Sequence, residues 1–192
     1  MRRFQDWALA ISVAGWGVRY LLRPESPLIV RVALVALHAA VATLFVFRRE
    51  EKRAAPWSSL VLAAPALVVS GLCLHLAPNE WPLGAQVVFA TGTAFAIVAL
   101  LALGRSFAIL PGVRSIVRKG PYRWVRHPAY LGELVMVVGC ALATGYVGWA
   151  LFAITLPLVA TRIWTEERVL GSDSAWTRYA QTVRWRLFPG VW

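Results

Sequence analysis

Leu83 to Leu103 runs for twenty-one residues without one ionisable side chain. As a helix, such a run measures about 30 Å, the thickness of a bilayer's hydrocarbon core. The chain repeats the pattern. Pro27 to Phe47, interrupted near its start by Arg31, and Trp57 to Ala77 are comparable runs. Ala129 to Thr144 and Tyr146 to Ile163 form a closely spaced pair around Gly145, and Trp7 to Leu22 is the weakest candidate. A backbone in lipid must satisfy its own polar groups, so runs of this length dictate helices. The composition agrees: 59% of the 192 residues are hydrophobic and 15% are charged, the reverse of what a soluble domain needs. The expected fold is an all-α integral membrane protein of five to six transmembrane helices, with a C-terminal helical hairpin turning at Gly145.

Charge placement orients that bundle. The net charge is +11, a value that in a soluble chain would suggest nucleic acid. Here the charges stand in short blocks between apolar runs, so no nucleic-acid partner is expected. Arg2 and Arg3, then Arg48, Arg49, Lys52 and Arg53, then Arg105, Arg114, Arg118, Lys119, Arg123 and Arg126, then Arg162, Arg168, Arg178, Arg184 and Arg186 all fall on one side of a six-span arrangement. Only Arg19, Arg23 and Arg31 fall on the other. The positive-inside rule places the first set, and both termini, in the cytoplasm. A five-span arrangement moves the N-terminus alone. The expected location is a prokaryotic plasma membrane. Cys73 and Cys140 lie inside apolar runs and read as small buried hydrophobes, and no metal-ligand cluster is present.

The whole chain, 1–192, is expected to form one transmembrane domain, with N-terminal spans over 1–103 and the chemistry over 104–192. After Leu170 the sequence turns polar. Asp173 suits an N-cap, and Trp176, Tyr179, Ala180 and Val183 share one face of a short helix. Such a helix is expected to lie on the cytoplasmic surface, with the aromatic tail WRLFPGVW in the headgroup layer.

The chemistry-bearing groups gather in two stretches. One is GPYRWVRHPAYLGE, Gly120 to Glu133, where Arg123, Arg126, His127 and Glu133 stand between Pro121 and Pro128 at the mouth of an apolar run. The other is TRIWTEERVL, Thr161 to Leu170, with adjacent Glu166 and Glu167. The Gly145 hairpin returns the chain to the same side, so the two stretches are expected to meet. Taken singly each group has a plain reading. The arginines suit positive-inside charge, the prolines helix punctuation, and Arg162 with Glu166 an i,i+4 surface pair. His38 and His75 read as packing and interfacial residues.

Together the pattern GPYxxxRHPxYxG, an apolar hairpin and then EExxL resembles the isoprenylcysteine carboxyl methyltransferase family, from Leu103 to the closing RLFPGVW. Phospholipid N-methyltransferases are similar over the same stretch. The resemblance implies a membrane methyltransferase using S-adenosylmethionine, without a glycine-rich Rossmann loop, acting on a hydrophobic or lipid-like acceptor at a carboxylate, amine or thiol. It implies a cofactor site at Tyr122, Arg126, His127, Pro128, Tyr130, Gly132, Glu133, Glu166 and Glu167. Arg126 and His127 would face the cofactor's carboxylate, Glu166 or Glu167 its ammonium or ribose, and Tyr122, Tyr130 and Trp164 its adenine or sulfonium. Gly132 would let the ligand approach the helix.

Glu167, Arg126 and Arg184 are the implied catalytic residues. Arg184 enters because the family often carries an arginine where this chain has Thr182, which weighs against carboxyl methylation of a prenylcysteine. Three other readings stand beside the leading one: headgroup N-methylation of phospholipids, a reductase of the sterol-reductase type, and a non-catalytic transport or assembly protein. The clustering of polar groups on one face argues against transport.

Overall fold

A computed structural model describes residues 2–22, 25–48, 53–54, 57–107, 112–113 and 115–192. Arg23, Arg49, Lys52 and Arg114 of the charge pattern lie outside the described residues, as do the side chains of Arg2, Arg3, Arg53 and Trp57. Seven helices are described: α1 (Arg2–Leu21), α2 (Leu28–Phe47), α3 (Trp57–His75), α4 (Leu83–Leu103), α5 (Pro128–Thr144), α6 (Tyr146–Leu170) and α7 (Ser174–Thr182). Two two-residue strands, β1 (Arg53–Ala54) and β2 (Gly112–Val113), pair antiparallel.

By length and composition, three helices can each cross a membrane: Leu28–Phe47, Leu83–Ser106 and Tyr146–Leu170. Ala64–His75 and Pro128–Thr144 are apolar but shorter. The helix ends follow local chemistry. Pro27 and Pro82 precede α2 and α4, and Pro128 opens α5, where a missing N–H costs nothing. Gly145 takes φ +71°, the left-handed conformation that reverses the chain between α5 and α6.

α5 packs closely on α4, α1 lies along α2, and α3 lies along α6. Asp6 and Arg48 form an ion pair that ties the start of α1 to the end of α2. The α4–α5 contact depends on glycines. A Cβ on Gly132 would stand 2.7 Å from the Ala96 nitrogen, and one on Gly139 2.7 Å from Phe89. Gly132, expected to admit a ligand, packs against α4. Helix-to-helix contact without side chains between is the usual use of small residues in membranes.

Two other features differ from expectation. α6 continues seven residues past Ile163, so Glu166 and Glu167 lie on its last helical turns. The i→i+4 hydrogen bonding does not stop where hydrophobicity does. The apolar face of α7 turns into the protein rather than toward headgroups. Trp176, Tyr179 and Val183 form a buried cluster with Leu170. Asp173 caps this helix as expected, its side chain accepting from the Ala175 N–H at 2.8 Å.

Candidate functional site

The proline-framed stretch folds as a tight 3-10 turn, Gly120–Arg123, followed by a turn at Trp124 and a single bridge of Val125 to Trp185 that lead into α5. The backbone N–H groups of Arg126 and His127 donate to the Trp185 and Arg186 carbonyls, each at 2.9 Å. The C-terminal tail thereby fixes the turn from below. From above, the buried Tyr179 hydroxyl of α7 donates to the Tyr122 carbonyl at 2.8 Å. Burial raises the pKa of Tyr179 above the ordinary phenol value, although Arg126 and Arg118 pull it back. Tyr122 is raised well above it, first by burial and then by the negative Glu166. Both phenols stay protonated.

Arg126 acts as a bolt. Its Nε donates to the Val183 carbonyl and its Nη2 to the Ala180 carbonyl, each at 2.7 Å. These carbonyls belong to the C-terminal end of α7, where a cation is favoured. Its Nη1 donates to Glu167 Oε1 at 3.2 Å. Glu167 also takes Arg186 Nε on Oε2 at 2.9 Å and has His127 Nε2 3.2 Å from Oε1. One carboxylate thus gathers three basic side chains from the turn and the tail.

Glu166, one residue earlier on α6, faces elsewhere. Its side chain is 29% exposed against 12% for Glu167. It accepts from the Tyr130 hydroxyl at 2.6 Å and stands 3.9 Å from His127 Nδ1. One helical turn back, Arg162 lies with its guanidinium 4.6 Å over the Tyr130 ring and donates to Glu133 Oε2 at 3.4 Å. Glu133 Oε1 accepts from Ser70 of α3 at 2.9 Å. His127 stacks on Tyr130 at 5.6 Å, with the two rings 18° apart.

These groups border a cavity of about 380 Å³, within the range of small-molecule sites. Arg126, His127, Tyr130, Glu133, Arg162 and Glu166 supply its polar wall, with Tyr122 and Trp176 beside them. Leu37 and Val41 of α2, Leu67 of α3, Leu100 of α4 and Met136 of α5 supply an apolar one.

Of the residues expected at a site, Tyr122, Arg126, His127, Tyr130, Glu133 and Glu166 come together on this cavity. The others do not line it. Glu167 stands behind the wall, holding it. Pro128 is buried as the first residue of α5. Gly132 faces α4. Arg184 is exposed, and Arg186, two residues on, is the tail arginine that reaches the acids. Trp164 is 55% exposed and meets Trp192 edge-on, 6.3 Å away, so it offers no face to the cavity.

The sequence reading gave Arg162, Arg186 and Trp176 plain structural roles and did not single out Ser70. Arg162 carried a usable signal, since a charge inside an apolar run needs a partner. It is buried rather than on the surface, with a side chain only 5% exposed. Ser70 gave none, because its partner lies 63 positions away.

Three apolar helices of spanning length and a cavity walled by ionic groups give the chain the build of a polytopic membrane protein with a candidate small-molecule site. The model of the Isoprenylcysteine carboxyl methyltransferase (ICMT) family matches residues 83–172, from α4 to the loop after α6. Those residues include most of the cavity's polar wall and exclude α1 to α3, α7 and the tail. The uncharacterized protein YpbQ of Bacillus subtilis (strain 168) is 31% identical over 111 residues. That alignment covers 55% of this chain and 66% of YpbQ, a little under two thirds of its length.

Proposed function

We propose that this chain is an S-adenosylmethionine-dependent methyltransferase of the membrane, acting on a hydrophobic acceptor. One observation carries the reading. Two stretches distant in sequence, the turn at Arg126 and His127 and the acids of α6, close on the same cavity, whose remaining wall is apolar. An ionic donor and a greasy acceptor need such a two-natured site, and displacement at a methyl carbon chiefly requires alignment in a dry place.

The donor set suits the cofactor. S-adenosylmethionine supplies an activated methyl group and carries one carboxylate against an ammonium and a sulfonium. Glu166 is the partner for the ammonium or a ribose hydroxyl. The remaining N–H groups of Arg126 and the Nδ1 edge of His127 are the partners for the carboxylate. Tyr122, Tyr130 and Trp176 offer aromatic faces to adenine or sulfonium. Glu167 positions Arg126 and His127 without touching the ligand, and Arg184 has no part in the site.

The proposal extends to the whole molecule. The chain is one domain that crosses the membrane six times, with both termini, α7 and the polar wall on the cytoplasmic side. The Asp6–Arg48 pair supports the sixth crossing, because it joins the far ends of two antiparallel helices. Titration calorimetry of the purified protein with S-adenosylmethionine or its demethylated product tests the reading. Saturable binding is expected, and no heat and no competition at millimolar ligand overturns it. Incubation with methyl-labelled cofactor and membrane lipids then reports transfer.

A further inference from the structure

The cavity's charges specify the acceptor's head group. Among the described residues that line it, the basic groups are Arg126, His127 and Arg162. Each is already engaged by a carboxylate of the protein: Glu167 for the first two, Glu133 for the third. Arg126 also gives two of its donors to α7 carbonyls. Thr182 and Arg184 lie exposed outside the lining. Against these, Glu133 and Glu166 present two carboxylates to the space, whose oxygens keep lone pairs beyond their bonds to Ser70, Arg162 and Tyr130. The protein's own contacts thus leave the cavity rich in acceptor oxygens.

The two acids sit at different places. Glu166 is one turn before Leu170 of α6, which packs with Trp176 of α7. Glu133 is one turn before Met136 on α5 and bonds Ser70, one turn from Leu67 on α3. Met136 and Leu67 both belong to the apolar wall. Glu133, with Arg162 against it, therefore stands at the border between the polar and apolar walls, where the head of a greasy molecule must stop. Ser70 and Arg162 hold its two oxygens in place from opposite sides.

We infer that the acceptor is an apolar molecule whose nucleophile carries a proton — an amine, a thiol or a hydroxyl — and is not a carboxylate, and that Glu133 takes that proton. The inference rests on the methyltransferase reading and narrows its acceptor. With the remaining donors of Arg126 and His127 given to the methyl donor's own carboxylate and Arg162 held by Glu133, an incoming carboxylate would join two acids and find no basic group left among the described residues that line the space, a strongly unfavourable arrangement. A proton-bearing head hydrogen-bonds to Glu133 on arrival. The nucleophile's lone pair forms the bond to the methyl carbon, and the carbon–sulfonium bond breaks with its electron pair left on sulfur. The nucleophile's proton moves to a Glu133 oxygen, so the positive charge lost by the sulfonium is balanced by the negative charge lost by the carboxylate.

Four probes sharing one long alkyl chain and ending in amine, thiol, phenol or carboxylate test this on the purified full chain in lipid. Label from the methyl donor is expected on one or more of the first three and not on the fatty acid. Glu133→Gln should lower kcat by about 100-fold while leaving the KM for the methyl donor unchanged, and Glu133→Asp should recover part of the rate. Without any methyl donor, the amine probe should bind the Gln variant about tenfold more weakly than the original protein. Methylation of the fatty acid, transfer to none of the proton-bearing heads, or an undiminished rate in Glu133→Gln would each overturn the inference while donor binding persists. Failure to bind the donor at all would instead remove the methyltransferase reading beneath it.

Discussion

Glu166 and Glu167 are adjacent in sequence and divide two tasks between them. On a helix they point about 100° apart, so one faces the cavity and the other the tail. Glu167→Gln leaves Arg126, Arg186 and His127 competing for a neutral amide in a largely buried place. The expected loss is about 2–3 kcal/mol of stability, read as a lower midpoint in thermal unfolding of the detergent-solubilised protein. Glu166→Gln should leave that midpoint nearly unchanged and weaken binding of the methyl donor about tenfold, near 1.4 kcal/mol, read by calorimetry. Equal effects on both readouts would contradict the division. Arg126 belongs with Glu167. Arg126→Lys keeps the charge but cannot reach Ala180, Val183 and Glu167 together, because only the guanidinium fork spans three acceptors. That variant should unfold at a temperature close to that of Arg126→Ala.

The elements show what the sequence could and could not disclose. Apolar run length located α1 to α6 to within a few residues at most ends, because a helix in lipid has no competing structure to adopt. The extension of α6 beyond Ile163 was hidden, since hydropathy ends there and helicity does not. The burial of α7 was hidden as well. An amphipathic face states only that it needs cover, and here Leu170 and Ile116 provide it instead of headgroups. Motif residues on the turn were legible as a group, while the division of work between wall and support depends on three-dimensional neighbours. Gly132 illustrates the difference. Its place in the motif suggested a ligand, whereas the backbone of α4 lies against it. Gly132→Val forces α4 and α5 apart at the point where Ala96 touches, at a cost of about 1–3 kcal/mol. The variant should unfold at lower temperature and bind donor less well, and Ala96→Gly in the same chain should restore part of both.

For the whole molecule, function depends on which helix ends share a compartment. The cavity's polar wall sits where α4 and α6 end and α5 begins, so these ends lie together. α1 is less apolar than α2. Its twenty residues nevertheless lie along α2, and the Asp6–Arg48 pair joins its start to the end of α2. A helix that long, antiparallel to α2 and joined to it at that end, has the length to cross alongside it. Cys73 and Cys140 are buried, at 0% and 2% exposure, so single introduced cysteines report cleanly. In intact cells a membrane-impermeant maleimide should label Glu80→Cys and fail to label Gln5→Cys or Ser172→Cys, both of which should react after permeabilisation. Labelling of Gln5→Cys from outside would leave five crossings and detach the N-terminus from the cytoplasmic side. Labelling of Ser172→Cys from outside would carry the polar wall with it and end the case for a methyl donor drawn from the cytosol.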